Sequence, residues 1–441
     1  MTHIPLAVMP HIGGWHLASW RRPASQASRS WDPYLWIDLA RAAERAKFDA
    51  IFFGDQYSLI PVPEHLRPNT ARMGSWDALV ISTAIAAQTS KVGIVATAFT
   101  EFVAPYAMAR QFATLDHISA GRVAWNVVTS GTPGDQRNFS SKPLADPVSR
   151  YERAAEYVDV VKGLWDSWED DAVINDRESG VFFDAGKLHK LDHHGKHFDI
   201  TGPLNVARPV QGYPVIAQAG GSGPGKQLAG SIGELLFTPL SGTAAAAYCA
   251  EVREIAGNAG RKPGEIIVLA QLTPIVGKTR EEAEEKWRWL QSKLPEELLR
   301  QPIELMLGGV DLAEFSPDTL ITDLELSGGI EGFRNAVLSY RNADGSVPTI
   351  AELLRGYRGP GTVVGSAEDI ADYMELEVAG GCCDGFLLLL HGVPEDFEDF
   401  CELVVPELRK RGRFRSEYDD DGTLRGRLGL QRPANRHGCP V

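Results

Sequence analysis

The chain has 441 residues, 44% hydrophobic and 23% charged, the composition of an ordinary soluble globular protein. Its net charge of −14 argues against a nucleic-acid partner, which would need a basic stripe. No apolar run approaches the ~18 residues that span a bilayer, and the opening MTHIPLAVMPHIGGW is too short and too rich in Pro and Gly for a signal peptide, so no membrane partner is expected.

Apolar strands alternate with amphipathic helices along the chain. Strands are predicted at 4–10, 50–55, 91–98, 122–129, 214–220, 234–239, 266–276 and 384–390. Helices are predicted at 34–47, 76–88, 105–119, 149–167, 224–231, 243–259, 279–300, 366–379 and 394–411. Such alternation builds right-handed βαβ units and a parallel sheet. Eight strands with no evident sheet edge predict an α/β fold, a closed (β/α)8 TIM barrel, with residues 1–441 forming one domain.

Four stretches are too long for plain connections: 56–74, 130–148, 168–213 and 301–347. Each is rich in Gly, Pro or Asp and is expected to form a lid or binding loop. The tail 412–441 reads as an extended arm, suited to packing on a neighbouring subunit. The five cysteines, Cys249, Cys382, Cys383, Cys401 and Cys439, are odd in number and form no CxxC pair, as expected of reduced cytoplasmic thiols. Cys382 and Cys383 read as two thiols entering a buried strand rather than a redox pair.

The stretch RVAWNVVTSG, residues 122–131, is apolar along its body and polar at its tip. Strand periodicity of two turns Ala124, Asn126 and Val128 to the barrel lumen and Trp125 and Val127 to the helices. Barrel active sites lie at the carboxyl ends of the strands. This chain places Asp55, Thr97, Phe99, Thr100, Asn126, Thr129, Ser130, Gln218 and Ser222 there. One polar strand tip only begins a loop; a rim of them surrounds a ligand. QAGGSGPGKQLAG turns from strand to helix through glycines, where backbone N–H groups at Gly221 and the Ser222 hydroxyl suit a phosphate. Ser149 and Glu152 read as a capping box, which puts Tyr151 in the first helical turn with its phenol near the same rim. The set suits a flat, phosphate-bearing cofactor of the flavin mononucleotide (FMN) kind.

GRVAWNVVTS also resembles the signature of bacterial-luciferase-like flavin monooxygenases, in the branch of nitrilotriacetate monooxygenase, dibenzothiophene-sulfone monooxygenase and pristinamycin synthase. The resemblance runs nearly end to end, through AERAKFDAIFFGD, VATAFTEFVAPYAMARQFATLDHISAGR, RYERAAEYVDVVKGLWDSWEDDAV, HHGKHFDITGPLNVARPVQGYPVIAQAGGS and CDGFLLLLHGVPEDFEDFCELVVPELRKRGRFRSEY. It implies the oxygenase component of a two-component system. An NAD(P)H:flavin reductase supplies FMNH2, and with O2 a C4a-(hydro)peroxyflavin oxygenates a small organic substrate. The resemblance implies Asp55 and Thr97 beside the flavin ring, Asn126 as a cofactor contact and catalytic residue, and Tyr151, Gly221 and Ser222 toward ribityl and phosphate. His16 is a second catalytic candidate. Trp15, Trp20 and Phe99 would wall the substrate pocket. A cytoplasmic homodimer or homotetramer is expected.

Two departures stand out. The family tends to carry a histidine four residues before the tyrosine of RY, where this chain has Pro147. It also tends to carry a paired histidine before AWR; here His16 remains and Trp15 replaces the other. Few cations fall at the predicted strand ends, which leans toward a neutral, heterocyclic, sulfur- or nitrogen-containing substrate. Two rivals remain: a barrel that binds flavin without oxygenating, and a metal-dependent hydrolase using His189, His193, His194 and His197. The second is the weaker, because those histidines lie in an insertion and read as a solvated hairpin, so no metal site is predicted.

Overall fold

The computed structural model describes every residue except 1–2, 61, 130–132, 325, 327–333, 335–336, 339, 343, 360, 419–420 and 439–441. Ser130 of the predicted rim and Cys439 lie outside the described residues. Eight parallel strands close into a barrel: β1 (Leu6–Met9), β2 (Ala50–Phe53), β3 (Gly93–Phe99), β4 (Val123–Val128), β5 (Val215–Gln218), β6 (Leu235–Thr238), β7 (Ile267–Val276) and β8 (Gly385–Leu389). Each pairs with the next, and β8 returns to β1 with Leu6 beside Phe386. All eight predicted strands are present. A ninth, Thr362–Gly365, pairs with the second half of β7 outside the ring. It is short and only partly buried, so its hydrophobic pattern is weak.

The alternation of each strand separates two cores. Trp125, Val127, Val123 and Ile94 face outward into a layer with Phe112, Tyr157 and Trp165 of the surrounding helices. Ala50, Phe52, Val95, Ala124, Ala217, Phe237, Leu269 and Leu387 fill the lumen. Helices begin where capping residues permit. Asp32 accepts from the Tyr34 N–H at 3.0 Å with Pro33 at the first helical position, starting the helix Pro33–Ala46.

Three expectations need correction. The helix expected over 279–300 is two, Arg280–Gln291 and Glu296–Met306, because Pro295 cannot continue the first and instead precedes the second. The helix expected to start at Ser149 starts at Pro147: Asp146 caps it by accepting from the Ser149 N–H at 3.0 Å, and Asp-Pro is the stronger start signal. Tyr151 is therefore in the second turn, and Glu152 pairs with Lys196 instead of closing a capping box.

The third correction concerns the tail. It folds back under its own barrel, where Leu424 and Leu430 join the lumen core from below. Arg425, 2% exposed, grips Glu234 with two bonds of 2.7 and 2.9 Å, and the Leu424 N–H donates to the Gly121 carbonyl at 2.9 Å. The leucines at 424, 428 and 430 fill the open lower end, which is why the segment serves as a floor. Among the described residues no helix is long and apolar enough to cross a membrane.

Candidate active site

Strand register assembles the upper rim. Thr97 stands opposite Asn126, and Asn126 opposite Ala217, all on the lumen face. That register lets the Asn126 Nδ2 donate to Thr97 Oγ1 at 3.0 Å. The other end of the amide, Asn126 Oδ1, is buried and has no hydrogen-bond partner among the described residues. Asn126 lines a mouth cavity of about 280 Å³ with Asp55, Thr97, Val128, Met9, Trp15 and Gln271, above the edge-to-face pair Phe52 and Phe237. Asp55 accepts from the Gln56 N–H at 2.8 Å, from Ser75 Oγ at 3.2 Å and from the Ala78 N–H at 3.2 Å. Burial outweighs these bonds and pushes its carboxyl up to about 6, with Asp77 adding repulsion.

The glycine-rich turn after β5 leads into the helix Gly223–Ile232, with Ser222 as its N-cap accepting from the Gly225 N–H at 3.3 Å. Two hydroxyls converge on its first turn: a methyl group added at Gly225 would lie 2.9 Å from Tyr151 Oη and 3.1 Å from Ser222 Oγ. Gly221 and Ser222 are exposed. A positive helix terminus with hydroxyls beside it accommodates a phosphate.

Beyond β1 the chain doubles back through Gly13 and Gly14, at φ +70° and +83°. A side chain at Gly14 would start 2.1 Å from the His391 carbonyl, so glycine is required there. The turn brings the Trp15 N–H to the Leu390 carbonyl at 2.7 Å and hangs Trp15 and His16 over the rim. His16, 8% exposed, accepts at Nδ1 from the Ala18 N–H at 3.1 Å, which leaves its proton on Nε2. Burial, then the neighbouring His391 and Arg22, push its pKa down to about 3, so the ring is neutral at pH 7. The His16, His391 and Trp287 rings stand 5.6–5.8 Å apart.

These rings line a second chamber of about 410 Å³. It shares Trp15 and Gln271 with the mouth cavity and is walled by Ile60, Val62, Ile303 and Met306 from two of the expected lids, together with Leu298 and Tyr357 from outside them. Arg72, Arg358, Gln291 and His391 also line it. None of these four was singled out from sequence. His391 just beyond β8 fits the strand-end rule, and Gln291 ends the helix Arg280–Gln291; Arg72 and Arg358 come from connecting segments whose packing has no period to read.

Other sequence candidates lie elsewhere. Trp20 is 39% exposed, donates to the Asn69 carbonyl at 3.0 Å, and lines neither cavity. Phe99 packs against Tyr57 and Phe102, outside both linings. Pro147 is exposed at the helix start. The histidine run forms the expected hairpin, His193–His194 against Asp199–Ile200, and its members bind carboxylates: His189 to Glu169 at 2.8 Å and His193 to Glu156 at 3.0 Å. Among the described residues no group of His, Cys, Asp and Glu could hold a metal ion.

Two cavities that share Trp15 and Gln271 thus lie at the carboxyl ends of a parallel barrel. Residues 16–375 match the family described as luciferase-like monooxygenase. The chain is 40% identical to N-acetyl-S-(2-succino)cysteine monooxygenase of Bacillus subtilis (strain 168), covering 98% of each chain. It is 36% identical to nitrilotriacetate monooxygenase component A of Aminobacter aminovorans, covering 99% of this chain and 98% of that one. The structure resembles that of riboflavin lyase (RcaE) with modified FMN, at a TM-score of 0.83 and 30% identity, over 98% of this chain and 97% of the other. The chain belongs to the luciferase-like monooxygenase family and is a flavin-dependent monooxygenase, an oxidoreductase.

Proposed function

We propose that this chain is the oxygenase component of a two-component system, receiving FMNH2 from a separate NAD(P)H:flavin reductase and using O2 to oxygenate a small organic substrate bearing sulfur or nitrogen. The observation that carries this reading is the mouth cavity: a buried acceptor of its lining residue Asn126, Oδ1, lacks a partner among the described residues, and an apolar chamber adjoins it at Trp15. An N–H at the edge of a flavin ring matches that acceptor, and the phosphate matches the hydroxyls of Tyr151 and Ser222. Reduced FMN, when bound, activates O2 and delivers one oxygen atom to the substrate.

The protein's share is binding, orientation and exclusion of water. Asn126, Thr97 and Asp55 hold the ring edge. Ser222, Tyr151 and Gly221 hold the phosphate end. The aliphatic lid residues keep water from the reacting centre. His16, neutral and lining the chamber beside Gln291, would contact a substrate oxygen or nitrogen without adding charge. Relatives named for a succinylated cysteine and for nitrilotriacetate support sulfur or nitrogen in the substrate, and a relative called component A supports a partner protein. The expected heterocycle rests only on the few cations at strand ends. We also read the chain as one domain of a cytoplasmic homodimer or homotetramer; the free thiols of Cys249, Cys382, Cys383 and Cys401 suit that compartment.

Reconstitution tests the reading. The isolated protein is expected to be largely colourless and inert toward NADH alone. With a flavin reductase, FMN and O2 it should turn a screened sulfur or nitrogen compound into a product one oxygen heavier. Tightly bound stoichiometric FAD, or direct NADH oxidation without the reductase, would contradict it. Reduced FMN bound with no product across the screen would favour the non-oxygenating barrel.

A further inference from the structure

We infer that the substrate is an organic anion with an apolar body, and that Arg72 receives its anionic group. This rests on the reading that the chamber beside the mouth cavity admits the substrate. The chamber wall is largely aliphatic, with Ile60, Val62, Leu298, Leu299, Ile303 and Met306 among its residues. Its lining contains two cations, Arg72 and Arg358, and no carboxylate. Arg358 is already matched, since its Nη2 meets both oxygens of Glu284 at 3.0 Å. Arg72 is not: no ion pair is formed by it among the described residues.

What Arg72 does contact leaves its donors largely unused. Its guanidinium carbon lies over the Trp15 indole, 3.8 Å from the ring centre. This cation–π contact supplies no counter-charge. Arg72 Nη1 reaches the Trp15 carbonyl at a long 3.4 Å, and the buried Nε has no partner among the described residues. Burial without a counter-charge is costly, and it draws the Arg72 pKa down to about 10. The group remains charged at neutral pH. A carboxylate or sulfonate entering the chamber would restore the missing counter-charge through a two-pronged contact.

A second unfilled group lies in the same chamber. His391 is 4% exposed and both of its ring nitrogens lack partners among the described residues. A neutral imidazole there offers one donor and one acceptor to a further polar group of the same substrate. Arg72 and His391 line the chamber and not the mouth cavity, where Asp55, Thr97 and Asn126 lie, so the missing counter-charge belongs to the substrate rather than the flavin. This reverses the lean toward a neutral substrate. That lean followed from strand ends, whereas both arginines arrive from connecting segments.

The test is calorimetry on the flavin-free protein at pH 8, with octanoate and its neutral isostere octanamide as probes. Wild type is expected to bind octanoate at least tenfold more tightly than octanamide, and added NaCl should erode the difference. Arg72→Gln should bind both alike, and its affinity for reduced FMN should match wild type. Equal binding of the two probes by wild type, or no octanoate binding at millimolar concentration, overturns the proposal. So does a preference that survives Arg72→Gln, or a variant that loses reduced FMN while keeping the preference. If Arg72→Gln does not fold, the wild-type ratio and its salt dependence decide alone. Because no flavin is present, failure here is separate from failure of the FMN reading.

Discussion

Asn126 shows why one residue can be costly to the apoprotein and still be retained. Its Nδ2 is satisfied by Thr97, but Oδ1 is buried without a partner. An unsatisfied buried acceptor costs about 1–3 kcal/mol. Asn126→Leu, close in volume, is therefore expected to leave the flavin-free protein as stable as wild type or more so, while weakening reduced FMN at least tenfold; urea unfolding and anaerobic titration check the two halves. A large loss of stability would make Asn126 structural. The histidines give a pH prediction. Burial holds His16 and His391 down to about 3, against 6.5 when unfolded. The unfolded chain gains these protons below pH 6.5 and the folded chain does not. Their contribution is thus complete above pH 6.5 and is lost as pH falls toward 3. At pH 4.5 each contributes a loss of about 2–3 kcal/mol. His391→Phe should lose less stability than wild type between pH 7.5 and 4.5 in urea titrations; parallel losses would contradict this. Asn126 was legible because strand parity fixes where it points. Arg72 was not, because its position depends on how two insertions pack, which no periodicity encodes.

The helix Gly223–Ile232 is the element on which the phosphate reading stands. Ser222 has two tasks there, capping through the Gly225 N–H and presenting its hydroxyl beside Tyr151. Ser222→Ala should cost about 0.5–2 kcal/mol of stability as a lost cap. As a lost contact to a charged group it should also weaken FMN by about 1.5–3 kcal/mol. Riboflavin lacks the phosphate and should be almost unaffected in parallel titrations; equal losses for both ligands would remove Ser222 from the phosphate site. Elements were legible wherever a hydrophobic period was long, as in all eight barrel strands. Boundaries were less so. Asp146-Pro147 outcompeted Ser149 as a start signal, and Pro295 split a continuous amphipathic pattern. Near the C-terminus the pattern at 394–411 does form helix, but with a wider π turn over Phe400–Val404. Pro406 lies just beyond, where a regular turn would press its ring on a carbonyl.

At the scale of the whole molecule, the barrel is closed below by its own tail and opens above into two joined cavities. Leu424 is fully buried in the lumen core, so Leu424→Ala should cost about 2–5 kcal/mol, measured by urea unfolding. Removing residues 421–441 should unfold the chain or sharply lower its Tm, because Glu234 would lose Arg425 and the lumen its floor. An arm that served only a neighbour would instead dissociate the assembly and leave each barrel intact, which sedimentation with circular dichroism distinguishes. The tail was misread because its leucines have no helical or strand period; only the closed barrel reveals the hole they fill. In the proposed function the mouth cavity receives reduced FMN, with Asn126 at its ring and Ser222 and Tyr151 at its phosphate. Anaerobic titration of the wild-type protein with FMNH2, oxidised FMN and reduced riboflavin tests this most directly. The expected result is one site per chain, tightest for FMNH2, weaker for oxidised FMN and weaker for reduced riboflavin. Equal affinity for all three, or no saturable binding of FMNH2, would contradict it.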